Sequence, residues 1–246
     1  MIKLAVVTKI LQGTRMALAG VRLLRDPNQL GEAFVLADTI GQVSTDAVQR
    51  MADGFRRDPR GARALVERTR LRLPPVEELS EMPAGSLGRA FADYLARNRI
   101  DPSDLPSRPS PDECAFVMAH LYETHDLWHT VTGFETDVAG ELGLQAFYVA
   151  QTEGKLGLLL LSIGMLEAAG KGFEDRQARL DAVARGWLLG KRARPLFGLP
   201  WAERWGQPIA ELRAELGLAL DDVDRTVAVS VDTAATAAGA VLRSAA

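Results

Sequence analysis

The stretch that decides the fold lies at residues 111–141 and reads PDECAFVMAHLYETHDLWHTVTGFETDVAGE. Pro111 opens a run that contains no other proline and no glycine before Gly133. Proline is common in the first turn of a helix, and glycine is common just after a helix end. The pattern therefore predicts one continuous helix at 111–132, with Ser110 as its N-terminal cap.

A second helix is predicted at 137–151, because Thr136 and Asp137 are typical of a helix start. The connection between the two helices is short, so they are expected to form a hairpin. Glu141 lies about one turn into the second helix. The hairpin would therefore bring its carboxylate opposite His129.

The first of these helices contains all three histidines of the chain. At about 100° per residue, His129 projects about 40° from His125, and Asp126 projects about 100° from it. These three side chains consequently share one helix face. His120 projects near 220°, which is roughly the opposite side, and is not assigned to the cluster.

Imidazole nitrogens and carboxylate oxygens are the ligands that zinc, iron and manganese take in proteins. The sequence therefore predicts a metal site built from His125, Asp126, His129 and Glu141, with Asp126 and Glu141 as the candidate catalytic groups. Two histidines and one carboxylate alone would suit iron with open positions. The addition of Glu141 favours one divalent zinc ion, with iron as the alternative, and an ordinary set of polar residues is the non-functional interpretation.

The order His-Asp-x-x-His, eleven intervening residues and then Glu resembles the metal motif of the family known as coenzyme Q biosynthesis protein four. Other segments resemble that family in order and rough spacing, and together they cover most of residues 4–220. These segments lie at residues 59–65, 82–91, 140–142, 151–152, 200–202, 211–213 and 216–217.

The resemblance implies an all-helical protein that binds one divalent metal, usually zinc, and an apolar polyprenyl ligand. It also implies a role at a membrane in the conversion of polyprenylated aromatic acids. That role is either oxidative decarboxylation of the ring or the organisation of other quinone-biosynthesis enzymes. The implied partners are a polyprenylated quinone precursor or similar isoprenoid lipid, those enzymes and a peripheral membrane surface. The family tends to place arginines just before the motif, where this chain has His120, Leu121 and Tyr122. This departure predicts a different way of recognising the ligand, or a different ligand.

Two alternatives to an oxidative decarboxylase stay open at this stage. One is a non-catalytic, metal-stabilised scaffold that presents prenylated precursors to enzymes. The other is a metallohydrolase, because His-x-x-x-His with an acidic second residue is typical of zinc peptidases. Asp126 is one methylene shorter than the glutamate those enzymes use, and His120 is too near to serve hydrolases built around a His-Asp doublet.

The rest of the sequence fits an all-α protein with a metal-binding hairpin and an apolar lipid groove or tunnel, whose lining residues are not assigned. A single domain is expected at 1–226, followed by an alanine-rich closing helix or mobile tail at 227–246. One cysteine cannot form an internal disulfide, and a net charge of −3 gives no reason to expect nucleic acid. Further helices are predicted at 4–24, 29–53, 60–71, 86–98, 155–169, 173–189 and 206–216.

Three segments bear on location and assembly. Residues 1–25 have basic but no acidic or serine residues, and they are interpreted as a structural helix of a bacterial-type protein instead of a targeting peptide. The apolar run at 156–166 is too short to cross a bilayer, which needs about 20 residues, so a buried core helix or one wall of a prenyl tunnel is expected. Seven arginines at 55–74 suit a solvated face or an anionic membrane. A cytoplasmic protein at the inner membrane is expected, with a homodimer as an open option.

Overall fold

The computed structural model describes residues 45–104, 108–152, 155–170 and 175–227, and all regular structure in these ranges is helical apart from one isolated bridge between Ser86 and Pro208. The helices are α1 (Thr45–Phe55), α2 (Pro59–Glu67), α3 (Val76–Ser80), α4 (Leu87–Asn98), α5 (Glu113–Glu123), α6 (His125–Thr132), α7 (Val138–Thr152), α8 (Lys155–Gly170), α9 (Arg176–Arg192) and α10 (Ile209–Leu216). Short 3-10 turns lie at Pro102–Asp104 and Trp201–Glu203, and 220–227 is helical. The predicted all-α class and single globular domain are confirmed.

Some predictions fall on other parts of the chain. The helix predicted at 4–24, most of the one at 29–53, and the tail from residue 228 onwards lie outside the described residues. Within them, the helix predicted at 60–71 ends earlier, at Glu67. The reason is that Arg68 adopts a left-handed conformation with φ 49°, and its N–H bonds the carbonyl of Ala64.

The start of α5 differs from the prediction. Asp112, not Ser110, caps this helix: its carboxylate accepts a hydrogen bond of 2.8 Å from the N–H of Ala115. The hydroxyl of Ser110 is used elsewhere, because its oxygen accepts from Nη1 of Arg70 at 3.0 Å. An ionised carboxylate is also the better cap in the first turn, where the helix dipole favours negative charge.

The predicted helix at 111–132 is not continuous. It is broken at Thr124, which has φ −97° and ψ 1° and separates α5 from α6. The Thr124 hydroxyl donates to the carbonyl of His120 at 2.8 Å, and such back-bonding bends helices. His125 thereby becomes the first residue of a separate, short helix.

The centre of the fold is α7, which packs closely against α9 through small residues. A Cβ added at Gly186 on α9 would lie 1.9 Å from the carbonyl oxygen of Gly143 on α7. One added at Gly190 would lie 2.9 Å from the carbonyl oxygen of Phe147. Glycine at both positions therefore lets the two backbones touch, and it fixes α7 relative to α9.

The helix containing the apolar run, α8, packs against α7 but is not the buried core helix that was expected. Leu158 is 58% exposed and Leu166 is 62% exposed. No helix in the described part of the chain combines the length and the apolar character needed to cross a membrane.

Candidate metal site

The short helix α6, which contains both histidines of the motif, is fixed at its C-terminal end by two arginines from distant elements. Arg213 on α10 donates to the carbonyls of Val131 and Thr130 at 2.9 and 3.0 Å. Arg185 on α9 donates to the carbonyl of Thr132 at 3.1 Å. These carbonyls have no partner within the helix, so the arginines satisfy them and hold α6 in place.

Gly133 ends α6, as the sequence predicted. It has φ 72°, and its N–H bonds the carbonyl of His129. The chain then reverses, and Asp137 directly precedes α7; its carboxylate accepts a hydrogen bond of 2.7 Å from the N–H of Gly140. The predicted hairpin is confirmed, and it places Glu141 in the first turn of α7.

The two histidines of α6 meet through their Nε2 atoms, which lie 3.3 Å apart. Their rings are almost perpendicular, at 89°, with centroids 4.8 Å apart. His129 is only 1% exposed, whereas the His125 side chain is 23% exposed. The pair therefore lies at the edge of the core, with His125 on the side nearer to solvent.

Glu141 faces both histidines from α7. Its Oε1 lies 3.3 Å from Nε2 of His129, and its Oε2 lies 3.9 Å from Nε2 of His125. One ligand atom from each of the three residues falls within a group whose members are no more than 4.8 Å apart. This is the one candidate metal group that the described residues form.

Each histidine has a partner at its other ring nitrogen. Nδ1 of His129 lies 3.0 Å from the carbonyl oxygen of Phe134, which can only accept. Nδ1 of His125 lies 3.3 Å from the hydroxyl of Tyr148, which in turn donates to the carbonyl of Leu121 at 3.5 Å. Both Nδ1 atoms are therefore assigned as the protonated donors, in the arrangement typical of histidines that bind a metal through Nε2.

This proton assignment tests whether the residues fit a metal ion. With protons on both Nδ1 atoms, the two Nε2 atoms present lone pairs to each other and to the Glu141 carboxylate. Such a group is repulsive unless a cation or a proton lies within it. A divalent cation matches all three donors at once, so the residues fit a metal.

The pKa values describe the same group without a metal. Burial lowers the pKa of His129, but the hydrogen bond and charge of Glu141 outweigh it and raise that pKa overall. Burial raises the pKa of Glu141, and the two histidines more than reverse this effect. The pKa of His125 is lowered by burial and by His129. The raised pKa of His129 favours a proton within the group when no cation is bound, and a metal must displace any such proton.

Asp126 is the predicted ligand that the structure does not bring into the group of three. It lies beside it on α6, and it is close enough for its charge to act on two tyrosines. Burial raises the pKa of Tyr94 and Tyr148, and the carboxylates of Asp126 and Glu141 add to that rise. The site therefore combines three converging donors with a second carboxylate, that of Asp126, and two phenols close by.

His120, which the sequence assigned to the opposite side, is remote from this group in its contacts. Its ring packs edge-on against Phe197 with centroids 4.8 Å apart, and its Nε2 accepts a hydrogen bond from the N–H of Gly198. Burial lowers its pKa to about 4.

Sequence reasoning missed the residues that support the histidines. Tyr148 had a usable signal, since it lies seven residues after Glu141 on the same helix and therefore on nearly the same face. Tyr94 on α4 had none, because its approach to His129 depends on how two separate helices pack.

Comparisons with known proteins agree with the motif. The family model described as Coenzyme Q (ubiquinone) biosynthesis protein Coq4 matches residues 3–222. The mitochondrial ubiquinone biosynthesis protein COQ4 homolog of Xenopus tropicalis is 34% identical over 206 residues, which are 81% of this chain and 71% of that protein. The Homo sapiens homolog is 30% identical over 213 residues, 84% of this chain and 78% of that protein.

A solved structure shares the fold. The crystal structure of a Nostoc punctiforme protein assigned to ubiquinone biosynthesis superposes with a TM-score of 0.73 and 27% identity, covering 84% of this chain and 98% of the other. The resemblance predicted from the motif is confirmed: the chain belongs to the Coenzyme Q (ubiquinone) biosynthesis protein Coq4 family.

Proposed function

We propose that this ubiquinone-biosynthesis protein is a metal-dependent oxidative decarboxylase of a polyprenylated aromatic acid. One observation carries the proposal: two imidazole nitrogens and one carboxylate oxygen converge within 4.8 Å, and both histidines have an acceptor beside Nδ1. Three protein ligands leave coordination positions open. A catalytic site needs such open positions, whereas a structural site is closed by its protein ligands.

The donor set accommodates zinc or iron, and the proposed reaction favours testing both. When bound, the ion supplies Lewis-acid or oxygen chemistry at its open positions. His125, His129 and Glu141 would hold it. Asp126 is proposed as a fourth ligand or as the group that moves a proton, because its carboxylate lies beside the three but outside their group.

The proposed reaction exchanges the ring carboxyl group for a hydroxyl group. The bond between the ring and the carboxyl carbon breaks and carbon dioxide leaves, while one oxygen atom of dioxygen becomes the new hydroxyl. The second oxygen atom is reduced to water by two electrons and two protons from an external reductant. Asp126 and Glu141 are the groups proposed to handle protons in this reaction.

The prenyl chain of the substrate requires an apolar surface that ordinary aromatic acids do not. We propose that α8 contributes to it, since this helix exposes Leu158 and Leu166 while it packs on α7, the helix that contains Glu141. The chain would then act at a membrane surface, with other quinone-biosynthesis enzymes as partners. The matched relatives named above are mitochondrial proteins.

A metal-stabilised scaffold is the second candidate, and one contact favours it. The ligands come from both arms of the α6–α7 hairpin, so a bound ion would staple the two helices together even without turnover. The two functions predict different results when a proton-handling group is substituted. A decarboxylase would lose turnover, whereas a scaffold would change only in stability.

The first experiment measures metal by elemental mass spectrometry in protein purified without added metal. About one zinc or iron per chain is expected, with loss in His129→Ala. His120→Ala is the matched control, because it removes the remaining histidine without touching the site. A folded wild-type protein without metal, or His129→Ala with unchanged metal, would contradict the site.

The second experiment measures turnover. Metal-loaded protein is supplied with dioxygen, a reductant and vesicles containing a polyprenylated hydroxybenzoate labelled with ¹³C in the carboxyl group. Labelled carbon dioxide and the hydroxylated ring are expected from the wild type, and neither from Glu141→Gln. A protein that binds metal and vesicles but releases no label would favour the scaffold.

A further inference from the structure

Tyr94 is a buried tyrosine whose hydroxyl makes no hydrogen bond within the described part of the protein. The residue lies on α4 and is 2% exposed. Its oxygen is inaccessible to solvent and has no hydrogen-bond partner among the described residues. A hydroxyl left in this state destabilises the folded protein, so most buried hydroxyls have a partner.

The position of Tyr94 indicates where such a partner would come from. Its ring stacks on the ring of His129 at 21°, with centroids 5.7 Å apart. The charges of Asp126 and Glu141 are the two that act most strongly on its phenol. The hydroxyl is therefore next to the candidate metal site without being bonded to any of its side chains.

Other unpartnered groups in the core show why position matters. The indole N–H groups of Trp128, Trp201 and Trp205 are also buried without a partner among the residues that the structure describes. Tyr94 differs because the charges of Asp126 and Glu141 act on its phenol and its ring stacks on the imidazole of His129.

Tyr148 provides the closest internal comparison. It also lies beside the site, but its hydroxyl already accepts from His125 and donates to the carbonyl of Leu121. Its hydrogen-bonding capacity is used in holding a ligand. Tyr94 has the same chemistry with its donor unused.

From these observations we propose that the Tyr94 hydroxyl donates a hydrogen bond to an oxygen atom of the molecule that binds at this site. This rests on the proposed function, in which that molecule is an aromatic acid with carboxylate and ring oxygens. If a divalent ion engages Glu141, that carboxylate is no longer available to the Tyr94 hydroxyl. An anionic oxygen of the incoming molecule is then the acceptor, and the Tyr94 hydroxyl is the donor. Tyr94 is thus a residue that selects oxygen anions over apolar groups of similar shape.

The test uses Tyr94→Phe in the full chain loaded with cobalt, whose visible absorption reports both metal binding and ligand binding. Benzoate is the probe for an aromatic oxygen anion. We expect benzoate to bind the variant about tenfold more weakly, since a hydrogen bond to a charged group is lost. Cobalt affinity should stay within about twofold, and the melting temperature should be equal or higher because an unpaired hydroxyl has been removed.

Tyr122→Phe is the matched control, because Tyr122 is the remaining tyrosine, its ring contacts Arg108, and its residue is outside the candidate metal group. It should bind benzoate like the wild type. Equal benzoate affinity in Tyr94→Phe and wild type would overturn the proposal, and so would absence of benzoate binding in the wild type. Loss of cobalt in Tyr94→Phe would also overturn it, since the hydroxyl would then serve the metal site. A wild type that binds no cobalt would overturn the metal-dependent function as well.

Discussion

His120 and His129 are both almost fully buried on consecutive helices, yet their surroundings change their pKa values in opposite directions. His120 is enclosed by aromatic rings, and burial prevails. His129 faces a carboxylate, and the carboxylate prevails. Burial alone makes a histidine neutral and structural, whereas burial beside a carboxylate favours a positive charge, from a proton or from a cation, within the group.

The largest effect is expected when the carboxylate that faces His129 is removed. Glu141→Gln keeps the size of the side chain but leaves no charge to balance an ion, so we expect metal affinity to fall more than about 100-fold and turnover to be lost. Metal competition with a chelator measures the first effect. Glu135→Gln is the control, since Glu135 precedes the same helix but pairs with Arg97 on the surface. Full activity in Glu141→Gln would end the assignment.

The second test concerns His120. The folded protein holds it neutral down to about pH 4, whereas the unfolded chain takes up its proton near pH 6.5. The unfolded state thus binds more protons in that window, and the free energy of unfolding falls as the pH falls. This residue should account for about 2 kcal/mol of the loss between pH 7 and pH 5.

Urea unfolding of wild type and His120→Gln at pH 7 and pH 5 measures that contribution as the difference between the two pH dependences. Burial is the largest cause of the lowered pKa, while Glu123 favours protonation of His120 and its ion-pair partner Arg70 opposes it. An identical pH dependence in both proteins would show that His120 is not held neutral.

The smallest effect is expected at the support of His125. Tyr148→Phe keeps the ring that stacks on Trp128 at 4.3 Å but removes the acceptor at Nδ1. Metal affinity should fall about tenfold, the low end for residues that orient a ligand, with little change in melting temperature. Tyr122→Phe is the control, because it removes the hydroxyl of a tyrosine whose ring contacts Arg108. Unchanged affinity would show that His125 is oriented without Tyr148.

Local sequence rules were sufficient for much of the fold and part of the site. Helical periodicity, Gly133 as a stop and Asp137 as a start predicted the hairpin, and the hairpin predicted that Glu141 faces His129. The rules failed where a residue distant in the sequence takes the hydrogen-bonding group that a local interaction would have used. Ser110 looked like a cap until Arg70, forty residues earlier, occupied its hydroxyl.

Angular projection was also too coarse for Asp126. A spacing of about 100° places a side chain on the same broad face, but it does not decide whether a short carboxylate reaches a shared centre. Its role as a ligand stays a prediction. Tyr94 marks the other limit, because the contact of α4 with α6 depends on tertiary packing that no motif in the sequence encodes.

The contact between Gly186 and Gly143 has a consequence for diagnosing damaged variants. A single methyl group at Gly186 would collide with the backbone of α7, the helix on which Glu141 sits. Such a protein would keep every donor atom of the candidate site, but the carboxylate of Glu141 would be displaced from the two histidines. A measurement of metal content alone would suggest a defect in the ligands, although the substituted residue lies on another helix and acts by displacing α7.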